Sequence, residues 1–259
     1  MSILKFTGCF TLGLVMLLSF PIGAVQAGPC ELPDFGSAIF NNPLIIDNPY
    51  LPLNPSLPLV LGKTFEYRPV PNEDNVVNKM IVTNCFKEIT VESKTIQCLV
   101  VYDVETVNDI ITEETWDWYA QDDDGNIWYC GEDTTAYLDD GTISKEGSWE
   151  AGVDGALPGY LILAEPRPGV CYQQESAEDA QDRAKVLRLN AKVSVEYGNY
   201  KKCLETKEWT PLDPGVIEQK YYARDVGLVL IKELKGKTVR VELVDIYTSN
   251  SSEWVCPSP

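Results

Sequence analysis

Between Thr115 and Asp133 the chain reads TWDWYAQDDDGNIWYCGED, and this stretch limits the fold more tightly than any other. It gathers three of the six tryptophans, two tyrosines and six acids into nineteen positions. Aromatic residues flank Asp-Asp-Asp-Gly-Asn, where the glycine supplies positive φ and the Asp and Asn side chains bond the local backbone. That pattern is a β-hairpin. With Asp122 to Gly125 as the loop, Tyr119 faces Trp128 and Asp117 faces Cys130. Alternation then groups Asp117, Tyr119, Trp128 and Cys130 on one face, and Trp116, Trp118, Ile127 and Tyr129 on the other. Rings on both faces mean that the hairpin is buried on both sides or carries a binding surface.

The rest of the chain repeats the strand signal. Lys63 to Val70, Lys79 to Val91 and Thr95 to Val107 are rich in Val, Ile, Thr and aromatic residues, with turn residues between them. A hairpin about Glu92-Ser93 brings Cys85 and Cys98 to one face, which makes a disulfide between them feasible. Ala136 to Trp149 predicts a further hairpin turning at Asp139-Asp140-Gly141. The Gly- and Pro-rich segment after it reads as a strand crossover, with Leu161 to Leu163 in the core, in preference to a lid. Glu175 to Arg183 (ESAEDAQDR) has the composition of one short helix, with acids first and bases last. Strands resume at Ala184 to Leu189, Lys192 to Tyr197, Tyr200 to Trp209, Val216 to Ala223, Gly227 to Glu233 and Thr238 to Tyr247. The expected fold is all-β, mainly antiparallel, of about a dozen strands in a curved half-barrel or sandwich with at most one short helix.

Residues 1–27 hold Lys5, an apolar run and a small-residue end at Ala24 to Ala27, the form of a secretory signal peptide cleaved near Ala27. Cys30 follows Pro29, whereas a lipoprotein site needs a small residue before its cysteine. Residues 28–61 are rich in Pro, Asn and Leu and read as an extended arm over a single β-rich domain at 62–259. No transmembrane segment is expected in the mature chain. Export makes the protein periplasmic or extracellular, and seven cysteines remain after the leader, so disulfides are expected with at least one thiol left over. Asn250-Ser251-Ser252 is a glycosylation sequon without consequence in an ordinary bacterium.

With 21 basic and 39 acidic residues the net charge is −18, which disfavours nucleic acid and anionic membranes as partners. Histidine is absent, and with it go the His general base, the Ser-His-Asp and Cys-His arrangements and most catalytic zinc sites. Three chemistries survive. Asp122, Asp124 and Asn126, with Glu132 or Asp133 nearby, have the alternating oxygens of a calcium loop, although the position of the EF-hand's closing Glu is Gly131. No other cofactor is expected. Trp116, Trp118 and Tyr129, with Asp117, form a candidate ligand-binding face for a glycan or envelope component, and Asp117 with Glu132 would serve a carboxylate-pair hydrolase. A redox thiol at Cys130 or Cys203 lacks a CxxC partner, and a structural role fits it better. The expectation is a non-enzymatic binding or envelope-associated module, with a polysaccharide-active hydrolase as the alternative.

Four segments carry a resemblance: LPLVLGKTFEYR, DWYAQDDDGNIWY, EGSWEAGVDGA and KYYA followed by VGLV. In these the chain resembles a family of exported bacterial proteins of unknown function. The resemblance spans most of the mature chain and implies an exported β-rich fold, with no activity to carry onto residues. Cys130, where an aromatic residue is usual, and Arg224-Asp225, where a Pro-Gly turn is usual, depart from that pattern.

Overall fold

The computed structural model describes residues 30–54, 62–234, 239–249 and 256. The expected leader, residues 55–61 of the arm and the Asn250 sequon lie outside them.

Among the described residues fifteen strands form one sheet in which every strand pair is antiparallel. Strands β1 (Lys63–Val70), β2 (Val76–Val91), β3 (Lys94–Val107), β4 (Ile110–Gln121) and β5 (Ile127–Tyr137) follow one another as a meander. The short β6 (Ile143–Ser144), β7 (Trp149–Glu150) and β8 (Leu157–Ile162) all pair back onto β5. After β9 (Cys171–Gln173) and β10 (Glu175–Ser176) a second meander runs through β11 (Arg183–Val195), β12 (Gly198–Trp209), β13 (Ile217–Ala223), β14 (Gly227–Glu233) and β15 (Val239–Thr248). Pairing of β15 with β1 joins the two meanders, so the order is β10-β8-β5-β4-β3-β2-β1-β15-β14-β13-β12-β11-β9. These thirteen strands curl through 299°, nearly closing a barrel. The expected all-β class and curved half-barrel are what the chain forms. Leu161 and Ile162 are buried in β8, as a crossover requires.

The sheet curls towards the face that carries Phe65 and Tyr67. From β1 the Tyr67 hydroxyl passes β15 and donates to Leu228 O of β14 at 3.1 Å. Phe65, Tyr67, Tyr129, Lys220 and Tyr222 are among the largest fully buried side chains, and strand pairing puts all five on this inner face.

The described part of the arm closes one mouth of the barrel. Its apolar side chains Phe35, Ile46, Tyr50, Leu51 and Leu53 are buried. Leu51 reaches the barrel end beside Phe65 and Gly227. Phe35 and Phe40 pack on Trp128 at 5.3 and 5.9 Å. Glu31 bridges Tyr172 of β9 at the start of the arm; beyond it prolines keep the arm out of the sheet, and its backbone is tied to strand ends and turns. Gln121 N donates to Pro43 O at 2.9 Å, and Asp225 N to Pro49 O at 2.7 Å.

Two local expectations need correction. Glu175 to Arg183 is not helical: Glu175–Ser176 is β10, paired with β8, and Ala177 N donates to Ala180 O in a tight turn. A helix there would have only Ala177 and Ala180 to bury. As strand and turn the segment buries Glu175 and closes the seam between β8 and β9. Likewise, the expected strands Ala184 to Leu189 and Lys192 to Tyr197 fuse into the single strand β11, with Glu196 and Tyr197 in the turn after it, and the register of β11 against β12 shifts three times between Val186 and Lys192.

Candidate functional site

The β4–β5 hairpin turns through a longer loop than its sequence suggests. Gln121 pairs with Ile127, so Asp122 to Asn126 form the loop and Trp128 faces Ala120. The buried Asp122 holds this loop together. Its carboxylate accepts Asn126 N at 2.8 Å, Asn126 Nδ2 at 3.0 Å and Trp128 Nε1 at 2.8 Å. Asn126 Oδ1 in turn accepts Ala164 N at 2.9 Å. The oxygens of the expected calcium loop therefore accept protein N–H groups. Asp124 is exposed, and Glu132 lies up β5 opposite Asp117. Among the described residues no group of three or more His, Cys, Asp or Glu side chains is placed to hold a metal ion.

A β-bulge then re-aims the strand. Between the pairs Asp117–Glu132 and Tyr119–Tyr129, both Cys130 and Gly131 oppose Trp118. Gly131 has φ +135°, and a Cβ there would lie 2.4 Å from Trp149 O and 2.8 Å from the Trp118 ring. The longer loop corrects the grouping of the rings by pairing Tyr129 with Tyr119, and the bulge brings Glu132 opposite Asp117. Tyr129 turns inward and its hydroxyl donates to Asp117 Oδ1 at 2.8 Å. Trp116 and Trp118 face outward. Trp116 stacks on Tyr102 at 4.3 Å, and Trp118 lies under Lys87 Nζ at 3.9 Å from its centroid. The three rings expected to share a binding face are thus divided between two faces.

On the inner side, Asp117 is one of a row of enclosed carboxyl groups. Asp117 and Glu132 are directly opposed on neighbouring strands and are 6% and 2% exposed. Burial first, then the charge of Glu132, pushes the Asp117 carboxyl up to about 7. Burial and the neighbouring Asp117 raise Asp103, against a 2.6 Å hydrogen bond from Asn78 Nδ2. Burial, with Asp182 and Glu132 adding, raises Glu175 to about 7. On the opposite wall Lys220, 1% exposed, pairs with Glu208 at 2.8 Å and Glu218 at 3.3 Å. Burial opposes the Lys220 charge, but the two carboxylates outweigh it and hold the ammonium above its ordinary value. Burial raises Glu218 to about 7, with Lys220 pulling the other way. Asn78 Oδ1, Trp149 Nε1 and both amide atoms of Gln174 are also buried without hydrogen-bond partners. Burial thus shifts Asp103, Asp117, Glu175 and Glu218 towards the protonated form.

Asp103, Glu175, Glu208, Glu218 and Lys220 went unremarked in the sequence. Glu218, Lys220 and Tyr222 alternate in IEQKYYA, so the period of two carried a signal for one polar inner face. Nothing local announces Asp103 or Glu175, which become neighbours of Asp117 and Glu132 only through long-range pairing.

The disulfides differ from expectation. Cys85 bonds Cys256, and Cys30 bonds Cys171. A register shift between Val82 and Phe86 takes Cys85 out of line with β3, while Cys98 pairs with Lys87. Cys98, Cys130 and Cys203 are buried free thiols. Burial, with Cys130 alongside, pushes the Cys98 thiol well up, which removes thiolate chemistry at neutral pH.

No protein-family model matches the chain, and no curated protein matches it significantly. Two crystal structures resemble it. One is a protein assigned as exported, with a YmcC-like fold, from Bacteroides fragilis; the other is a protein assigned as a lipoprotein, from Parabacteroides distasonis. Each gives a TM-score of 0.41 at 11% identity, covering 73% of this chain and 96% of the other. A likeness of this size carries no argument about function.

Proposed function

We propose that the chain is an exported, non-enzymatic binding module of the cell envelope or its surroundings. Its signal-type N-terminus and two disulfides of long sequence separation suit an oxidising compartment. The observation that carries the non-enzymatic reading is the enclosure of Asp117 and Glu132, at 6% and 2% exposure. A carboxylate-pair hydrolase needs its two groups beside exposed rings in an open cleft. Here Trp118 is buried, Trp116 is stacked on Tyr102, and both face away from the pair. The proposed resemblance to a family of exported bacterial proteins agrees with this role.

Two measurements on the full-length chain expressed in a bacterium test the reading. Fractionation is expected to recover a mature protein outside the cytoplasm, with Cys30–Cys171 and Cys85–Cys256 oxidised by mass spectrometry. Reducing-end release from a polysaccharide panel is expected to stay at the buffer level. Cytoplasmic retention with reduced cysteines would overturn export. Release abolished by Asp117→Asn would establish the hydrolase instead.

A further inference from the structure

The outer face of the second meander holds a built concavity of opposite charge to the rest of the molecule. The three register shifts of β11, together with Lys202 at φ 58° on β12, bend the β11–β12 hairpin out of the sheet. Its tip folds across β13 and β14 to reach β15. There Tyr197 N donates to Leu243 O at 3.2 Å, Glu196 N to Glu242 Oε2 at 3.2 Å, and Arg240 Nη2 to Ser194 O at 3.3 Å. Ala191, Val193 and Val195 are buried beneath the tip, so the hairpin is seated by apolar contact as well.

Under this flap lies a cavity of about 450 Å³ lined by Arg188, Lys192, Lys232 and Arg240, with Glu205 and Tyr221 in its floor. That volume falls in the range of small-molecule sites, roughly 300–1,000 Å³. Both arginines are held in place by carboxylates. Arg188 Nε bonds Glu205, whose side chain is 1% exposed, and Arg240 Nε and Nη2 reach Glu242 Oε1 at 2.9 and 2.6 Å. Lys232 has an aromatic neighbour instead, its Nζ 3.4 Å from the Tyr221 hydroxyl and 4.9 Å from the ring centroid. Among the described residues neither Lys232 nor Lys192 forms an ion pair with a carboxylate. In a chain with 39 acids and 21 bases, four cations around two carboxylates is a local inversion. Lysines left without carboxylates where acids are abundant leave positive charge for a ligand to neutralise.

The geometry points to a binding site for a small organic oxyanion, a carboxylate or a phosphate, under the β11–β12 flap. The arginine N–H groups not used by Glu205 and Glu242 can donate to oxyanion oxygens, the lysines supply charge, and Tyr221 with Leu230 offers an apolar floor for the organic part. The site lies on the outer face and owes nothing to the enclosed acids, so its failure would leave the export and non-hydrolase readings intact.

Isothermal titration of the mature oxidised protein at low salt, with glucuronate, glucose 6-phosphate and neutral glucose, tests the site. Saturable binding of glucuronate, glucose 6-phosphate or both is expected, with none of glucose; which of the two binds identifies the anion. Lys232→Gln and Lys192→Gln are each expected to weaken binding about tenfold, with unchanged circular dichroism. No saturable binding of either anion at millimolar concentration would overturn the proposal. So would affinities equal to wild type in both folded variants.

Discussion

Gly131 is the residue on which the geometry of the central hairpin turns. Its positive φ and the 2.4 Å approach of Trp149 O leave no room for a side chain, so Gly131→Ala is expected to lower stability by about 2–4 kcal/mol in urea unfolding. Asp122 is the second such residue. Asp122→Ala strips acceptors from Asn126 N and the buried Trp128 Nε1 and is expected to cost about 2–3 kcal/mol. Excess chelator should leave the melting temperature of the wild type unchanged, because the Asp122 oxygens already accept protein donors; a downward shift would restore the calcium reading. At this scale the sequence was half legible. The Asp-Asp-Asp-Gly-Asn run announced a turn correctly, but a loop one residue longer moved Tyr129 to the other face, and the bulge beyond it set Glu132 against Asp117. Alternation by two is intolerant of such insertions, and a bulge at Cys130-Gly131 has no signature beyond the glycine itself.

Among the elements, the strands were readable because Val, Ile, Thr and aromatic residues recur with period two between turn residues. The exceptions have physical causes. Glu175 to Arg183 has helical composition but no apolar stripe, so pairing with β8 outcompetes it. Two strand signals fused into β11 because bulges interrupt the pattern without ending the strand. Disulfide connectivity was illegible because both bonds join distant segments, with separations of 141 and 171 residues. Cys30–Cys171 fastens the arm to the edge strand β9. Replacing both cysteines by serine is expected to lower stability by about 2–5 kcal/mol, with the arm the first region to lose hydrogen-exchange protection. The turn at Arg224-Asp225 belongs to the same fastening. Asp225 takes φ 64°, where glycine would be at ease, and its N–H anchors Pro49 O.

For the whole molecule, the barrel encloses carboxyl groups that an acidic, histidine-free chain would ordinarily leave in water. Asp117, Glu175 and Glu218 are each raised to about 7, from ordinary values near 4. A carboxyl group raised in the folded state stabilises fully below its unfolded value. That contribution is lost as pH climbs towards 7, and the loss is complete above it. Stability is therefore expected to fall between pH 4 and about pH 8. None of this was legible locally, since the enclosure depends on β1 meeting β15 across most of the chain. The most direct test of an enclosed, protonated interior compares unfolding free energies of wild type and Asp117→Asn at pH 5 and pH 8. Asparagine mimics the protonated acid and still accepts from Tyr129. The variant's advantage over wild type should grow by about 2 kcal/mol or more between pH 5 and pH 8. An advantage that is unchanged or smaller at pH 8 would contradict the account.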